Sequence, residues 1–295
     1  MHPVTQYFAH VPDSHRIGLL IFTIALFWHL ENRQDWRLDF RRWRHALTNA
    51  RFTLADGLVQ VFLGLLLLKE LDWSDTHNWG LVRHLPFATN SFVHFIAVFL
   101  ILDLLEYFYH VVMHRYGYLW RFHAVHHADP HVDVSTVLRE HPGETFIRLS
   151  FLLLWVFVTG PTFWALMARQ FIQIVANVAA HANYRLPESL DRVLSYVLVT
   201  PNVHHVHHHR EQPYTDSNYG DVLSIWDRFF GTYSTLAADK IIFGLDTHPE
   251  PTDGASFNHL LLQPFQLGVA DEELTSPDVW SAEVNPVSVS AESAR

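Results

Sequence analysis

Cysteine is absent from the 295-residue chain, which excludes disulfides and cysteine-ligated metal sites and leaves the redox compartment open. Charge is scarce as well: 17% of residues are charged, against roughly 25% in an ordinary soluble domain. Together with 49% apolar residues, 14% aromatics and a mean hydropathy of +0.06, that deficit points to a membrane protein. The formal net charge of -10 argues against nucleic acid as a partner. A basic stretch followed by a small-residue cleavage motif is missing near the N-terminus, so a cleavable signal peptide is not expected.

Clean apolar runs of about twenty residues are missing too, but five shorter ones occur, at residues 17–30, 52–68, 92–109, 146–163 and 164–180. They predict an all-α integral membrane bundle of four to five spans. The last two meet at Thr159-Gly160-Pro161, a break that suits a helical hairpin. Six arginines lie between Glu31 and Arg51, whereas the segment from Lys69 to Asn90 holds one lysine and one arginine. The positive-inside rule therefore puts the first segment in the cytoplasm, and counting crossings brings the region after His110 and that after Ala180 to the same side. The expected organisation is N-terminal spans over 1–90, a catalytic unit over 91–266 and a tail over 267–295. From Ala270 onward the tail carries six acids and one base, with Trp280 as its one large aromatic, a composition that predicts disorder.

Histidine is what the chain has in excess, 23 against 20 Lys plus Arg. His110 and His114 stand four apart at the end of an apolar run. His123, His126 and His127 follow in HAVHH, and His204, His207 and His208 in HHVHH, at spacings of three and four that put rings on one helix face. A single such pair is ordinarily a surface feature. Eight positions in three stripes at one membrane face are not, because crowding so many ionisable rings without a cation would depress their pKa values and leave donors unsatisfied. One zinc takes about four ligands, so eight imply two ions, and imidazole alone does not choose among zinc, copper, nickel and iron.

The run DLLEYFYHVVMHRYGYLWRFHAVHH, then TPNVHHVHH and NYGDVLSIWDRFFGTY, resembles the fatty acid hydroxylase and sterol desaturase superfamily in the order, spacing and flanks of its histidine boxes. The resemblance implies two iron ions on a cytoplasmic cap over a helical bundle, activating dioxygen to hydroxylate or desaturate a lipid. It carries ligand roles onto His110, His114, His123, His126, His127, His204, His207 and His208. His181 in NVAAHANY matches a further family ligand. Asn177, one turn earlier, takes the place of a second histidine found in some relatives, and His141 in LREHPGE occupies another family position.

His205 and His209 fall off the third stripe and are expected as outer-sphere or surface groups; His10, His29, His77, His94, His131 and His248 are expected to be interfacial or solvated. Carboxylates that accept the second ring N–H are sought at Asp103, Glu106, Glu144, Asp221 and Asp227, each in or beside a box or aromatic segment. Flavin, haem and nicotinamide motifs are lacking, so electrons are expected from a separate ferredoxin or small cytochrome. The basic set Arg115, Arg121, Arg139 and Arg210 offers a docking face for it. Two rivals are a divalent-metal transporter, which should hold its ligands near mid-membrane, and a non-redox zinc scaffold.

Overall fold

The computed structural model describes residues 3–33, 42–246 and 256–266. The tail 267–295 with Trp280, and His248, lie outside the described residues. Within them the chain forms eleven α-helices joined by loops and short 3-10 turns, and its only β feature is an isolated bridge between Leu198 and Leu223. Helix α1 covers Pro3–Ala9, α2 Asp13–Glu31, α3 Arg42–Thr76, α4 Phe92–Arg115, α5 Gly117–His127, α6 Pro142–Thr159 and α7 Phe163–His181. The shorter α8 (Glu188–Leu194), α9 (Pro201–His207), α10 (Ile225–Phe230) and α11 (Phe257–Leu262) follow.

Four stretches are long and apolar enough to cross a membrane: Trp43–His84, Phe92–Arg115, Pro142–Thr159 and Phe163–His181. The protein is an all-α membrane bundle. The run at 17–30 is not among these four. It lies in α2, which runs beside α7 in the same direction: Arg16 approaches the Met167 sulfur (3.9 Å) near one end, and Glu31 accepts from the Asn183 N–H (2.6 Å) just past the other. The second run, expected to end at Leu68, continues as helix to Thr76, because Lys69, Glu70 and Asp72 contain no breaker. At 35 residues α3 is about 52 Å long, more than the roughly 30 Å hydrocarbon layer needs, so its first turns rise into the cap. Leu54, Leu58, Val61, Phe62 and Leu65 make an exposed stripe along it at the spacing of one helix face, as lipid contact requires.

The core sits where α4, α6 and α7 meet. Phe95, Val98, Phe99 and Leu102 pack with Leu152, Val156 and the Trp164–Ala168 segment. The predicted hairpin is present, α6 ending at Thr159 and α7 starting at Phe163. Its turn is clamped to the loop after α3: Arg83 Nε donates to Gly160 O (2.9 Å), Trp79 Nε1 to Phe157 O (2.8 Å) and Trp164 Nε1 to Thr89 O (3.0 Å). Gly160 has φ +63°, and a Cβ there would lie 2.0 Å from the Trp79 carbonyl oxygen; at Gly80 one would lie 2.3 Å from Gly160 Cα. Only glycines allow this approach. His94, expected at an interface, is instead fully buried near this end of α4. The clamp closes the end of the bundle opposite the histidines, since α4 ends, α6 starts and α7 ends at the cap. Gly160→Val should lower the thermal stability of detergent-solubilised protein by at least about 1–3 kcal/mol. An unchanged melting curve would show that the far loop can move away.

Candidate metal centre

The cap brings nine histidines into two adjoining groups. One holds His110, His114, His123, His127 and His207; the other holds His126, His181, His204 and His208; within each, the ligand atoms all lie within 4.8 Å of one another. Local structure explains the placement. The last turns of α4 present His110 and His114, and the end of α7 presents His181. Thr200 caps α9 by accepting from the Val203 N–H, and Pro201 starts that helix without needing a donor. Adjacent residues on a helix point about 100° apart. His126 and His127 therefore divide between the two groups, as do His207 and His208. The three stripes read from the sequence are not one face per metal: two of them straddle both groups.

Six of these rings have their Nδ1 against an oxygen, four against backbone carbonyls, which can only accept, and two against carboxyl groups. His110 bonds Tyr219 O (2.9 Å), His114 Asp216 Oδ1 (3.1 Å), His123 Glu144 Oε1 (2.5 Å) and His207 Ser217 O (2.7 Å). His126 bonds Arg139 O (3.1 Å) and His181 bonds Asn177 O (2.8 Å). A neutral ring that donates from Nδ1 has a bare lone pair on Nε2. Yet His110 and His123 set their Nε2 atoms 3.1 Å apart, and His126 and His181 theirs 3.0 Å apart. His181 Nε2 is also 3.0 Å from that of His204, which is 3.2 Å from that of His208. One hydrogen cannot serve such a chain. Burial keeps the rings neutral, pushing His123 down to about 4 and, with help from the neighbouring His123, His126 down to about 3. His114, His127 and His207 point buried Nε2 atoms with no protein partner into the first group.

A cation resolves this repulsion. Metal–imidazole bonds of about 2.1 Å place neighbouring ligand atoms roughly 3.0–3.4 Å apart, the spacing seen here. The donor set fits two ions: all nine ligands are imidazole, seven are buried and two half-buried, and six are oriented from behind.

The structure places the other expected residues differently. His141 caps α6, its Nδ1 accepting from the Gly143 N–H (2.9 Å) while Nε2 donates to Leu261 O (3.1 Å), so both nitrogens are engaged away from the two groups. Asn177 sits one turn before His181 as expected, and its carbonyl is the group that touches that ring. His205 packs on the His181–Ala182 backbone and the Phe243 ring, and His209 Nδ1 accepts from the Ile242 N–H; both are buried rather than superficial. Of the five carboxylates sought, Glu144 meets a ring. Asp227 accepts from the Tyr219 and Gly220 N–H groups, and Asp103 from Val222, Leu223 and Trp226, so both hold the segment that carries the Tyr219 carbonyl. Asp221 and Glu106 face Arg169. Asp216 escaped the sequence reading: it lies 102 residues from His114, and nothing in TDSNYG marks it. Arg139 is fully buried, bonding Val125 O and Ala128 O, and leaves the docking set to Arg115, Arg121 and Arg210.

Residues 95–232, which hold all nine rings, match the family model of the fatty acid hydroxylases. This match and the relatives below support the fatty acid hydroxylase and sterol desaturase superfamily for this segment. The superfamily relatives include an alkylglycerol monooxygenase of Danio rerio, 32% identical over 180 residues that make up 61% of this chain and 35% of that protein. The alkylglycerol monooxygenase of Homo sapiens is 27% identical over 250 residues, 83% of this chain and 52% of its own length. An ornithine lipid hydroxylase of Rhizobium tropici is 30% identical over 132 residues, 43% of this chain and 38% of that one. The chain thus spans about a third to a half of the length of these relatives. No solved structure matches it.

The depressed ring pKa values make stability depend on pH. In the unfolded chain these histidines titrate near 6.5, in the folded cap several units lower, so between those limits the unfolded state binds more protons. Stability is complete above about pH 6.5 and falls as pH drops toward 4. Metal-stripped protein should therefore melt at lower temperature as pH falls from about 6.5 to 5, and a flat profile would mean that folding leaves the ring pKa values near those of the unfolded chain.

Proposed function

We propose that the protein is a membrane-bound oxygenase that uses dioxygen to hydroxylate a lipid C–H bond at a pair of iron ions held by His110, His114, His123, His127 and His207 on one side and His126, His181, His204 and His208 on the other. The observation that carries this reading is the confrontation of lone pairs on the His126 and His181 Nε2 atoms, 3.0 Å apart, with both Nδ1 atoms held by backbone carbonyls. The relatives' names, alkylglycerol monooxygenase and ornithine lipid hydroxylase, favour oxygen insertion over desaturation. The balance is RH + O2 + 2e⁻ + 2H⁺ giving ROH and water. A reduced iron pair, when bound, supplies the electrons that split dioxygen.

The chain's own residues do the rest. Tyr219, Ser217, Asn177 and Arg139 hold Nδ1 protons through their carbonyls, and Glu144 and Asp216 through carboxylates, so the rings keep one tautomer and one orientation. The apolar faces of α4, α6 and α7 exclude water and guide a lipid chain upward to the cap. Arginine asymmetry supports a cytoplasmic cap, and residues 91–266 are taken as the catalytic unit. Electrons come from a separate small carrier, for which Arg115, Arg121 and Arg210 offer basic groups. A transporter would hold its ligands at mid-membrane, but here they lie in the last turns of α4, at the end of α7 and in the cap.

The test is dioxygen-dependent turnover. Protein purified without a histidine tag and loaded with iron is incubated with candidate membrane lipids, reductant and labelled dioxygen, and products are read by mass spectrometry. His126→Ala and His207→Ala should each lose oxidation to background while staying folded, because apolar spans rather than metal hold the bundle. Bound zinc with no oxidation would favour the scaffold reading. Removal of residues 268–295 should leave both metal and turnover in place.

A further inference from the structure

The two histidine groups are backed by different chemistry. In the five-histidine group, four rings have an Nδ1 partner, and two of those partners are carboxylates: Glu144 on His123 (2.5 Å) and Asp216 on His114 (3.1 Å). The other two are carbonyls from one short segment, Ser217 and Tyr219, next to Asp216 in the chain. That segment is pinned by the Asp227 carboxylate at the Tyr219 and Gly220 N–H groups (2.7 and 2.9 Å).

The four-histidine group has no anion on any ligand. His126 and His181 are held by carbonyls, and the Nδ1 atoms of His204 and His208 are buried without a partner. Asp129, a buried carboxylate near that side, is taken up by His45, Asn49, Thr136 and Arg139 and bonds none of the four.

Resting on the reading of both groups as metal positions, we infer that the five-histidine position binds its ion tightly and the four-histidine position binds its ion loosely, with Glu144 and Asp216 as the positioning residues that create the difference. The physics has two parts. A carboxylate that accepts an imidazole N–H raises electron density on the opposite nitrogen and makes it a stronger donor. Buried Glu144 and half-buried Asp216 also place negative charge directly behind the rings that would hold one divalent ion, whereas no carboxylate bonds a ring of the other position. His204 and His208 have no partner on Nδ1, so the four-histidine position has fewer oriented ligands to hold an ion.

The experiment reads metal, not turnover. Full-length protein carrying a non-histidine tag is stripped, then titrated anaerobically with ferrous iron against a chromophoric chelator. Two phases are expected, one ion resisting a chelator concentration that removes the other. Asp216→Asn and Glu144→Gln, which keep shape and lose charge, should weaken the tight phase about 10- to 100-fold and leave the loose phase where it was. Glu188→Gln, on exposed α8, serves as the control. Melting curves and gel filtration establish that each variant is folded. A tight phase that survives both substitutions, or two ions released together by the wild-type protein, overturns the inference while leaving the oxygenase reading intact. Failure to bind any ion overturns both. Two-phase binding with no lipid oxidised would sink only the oxygenase reading.

Discussion

A neutral imidazole has one proton, and everything at the cap follows from where six of those protons point. Each is directed outward, from Nδ1 to a carbonyl or carboxylate, and each ring consequently turns a bare lone pair inward. The lone pairs of His126 and His181, 3.0 Å apart, repel, and because both Nδ1 atoms face backbone carbonyls no rearrangement of hydrogens on these two neutral rings relieves them. The fold sustains this conflict because its stability comes from elsewhere: apolar packing of α4, α6 and α7 and the glycine clamp at the far end. The bundle presents an unfavourable constellation that a cation makes favourable, which is how a binding site is prepared before its ligand arrives.

The backing of the rings draws on widely separated parts of the chain. Glu144 comes from the first turn of α6, Asp216, Ser217 and Tyr219 from the loop after α9, and Arg139 from the turn before α6. Arg139 also ties that turn to α5 by donating to Val125 O and Ala128 O. On the same side, Asn49 of α3 reaches Ser135 (2.9 Å), so the long first span is joined to the cap by a polar contact as well as by packing. The N-terminal spans and the histidine-bearing segment are therefore mechanically continuous.

Much of this was legible in the sequence, for identifiable reasons. Helix period and apolar content are local, so α3, α4, α6 and α7 could be read from them, and the Thr159-Gly160-Pro161 break marks its own position. The histidine boxes were legible because i, i+3 and i, i+4 spacing has a single meaning on a helix. The rest depends on long-range geometry. Asp216 meets His114 across 102 residues, and carbonyl partners such as Tyr219 O have no side-chain signature. Arg139 looked like a surface cation because arginine usually is one, and His141 looked like a ligand because its role as a helix cap shows only once α6 is placed on it. Helix α2 shows the opposite limit: its apolar run is real, but it does not meet the measure of a spanning helix.

The division of each doubled histidine between the two groups has a consequence for how the centre tolerates change. His126 and His127 are consecutive in α5, and His207 and His208 are consecutive at the end of α9, so the distance between the two histidine groups is set by covalent geometry and the pitch of a single turn. Loops behind the rings can vary in sequence and length, altering how firmly each ring is held, without stretching that distance. Insertion of one residue between the members of a pair would do the reverse, rotating one ligand by about 100° and leaving every outer partner in place. In an alignment of such proteins, the boxes should behave as rigid rulers and the loops that back them as adjustable supports.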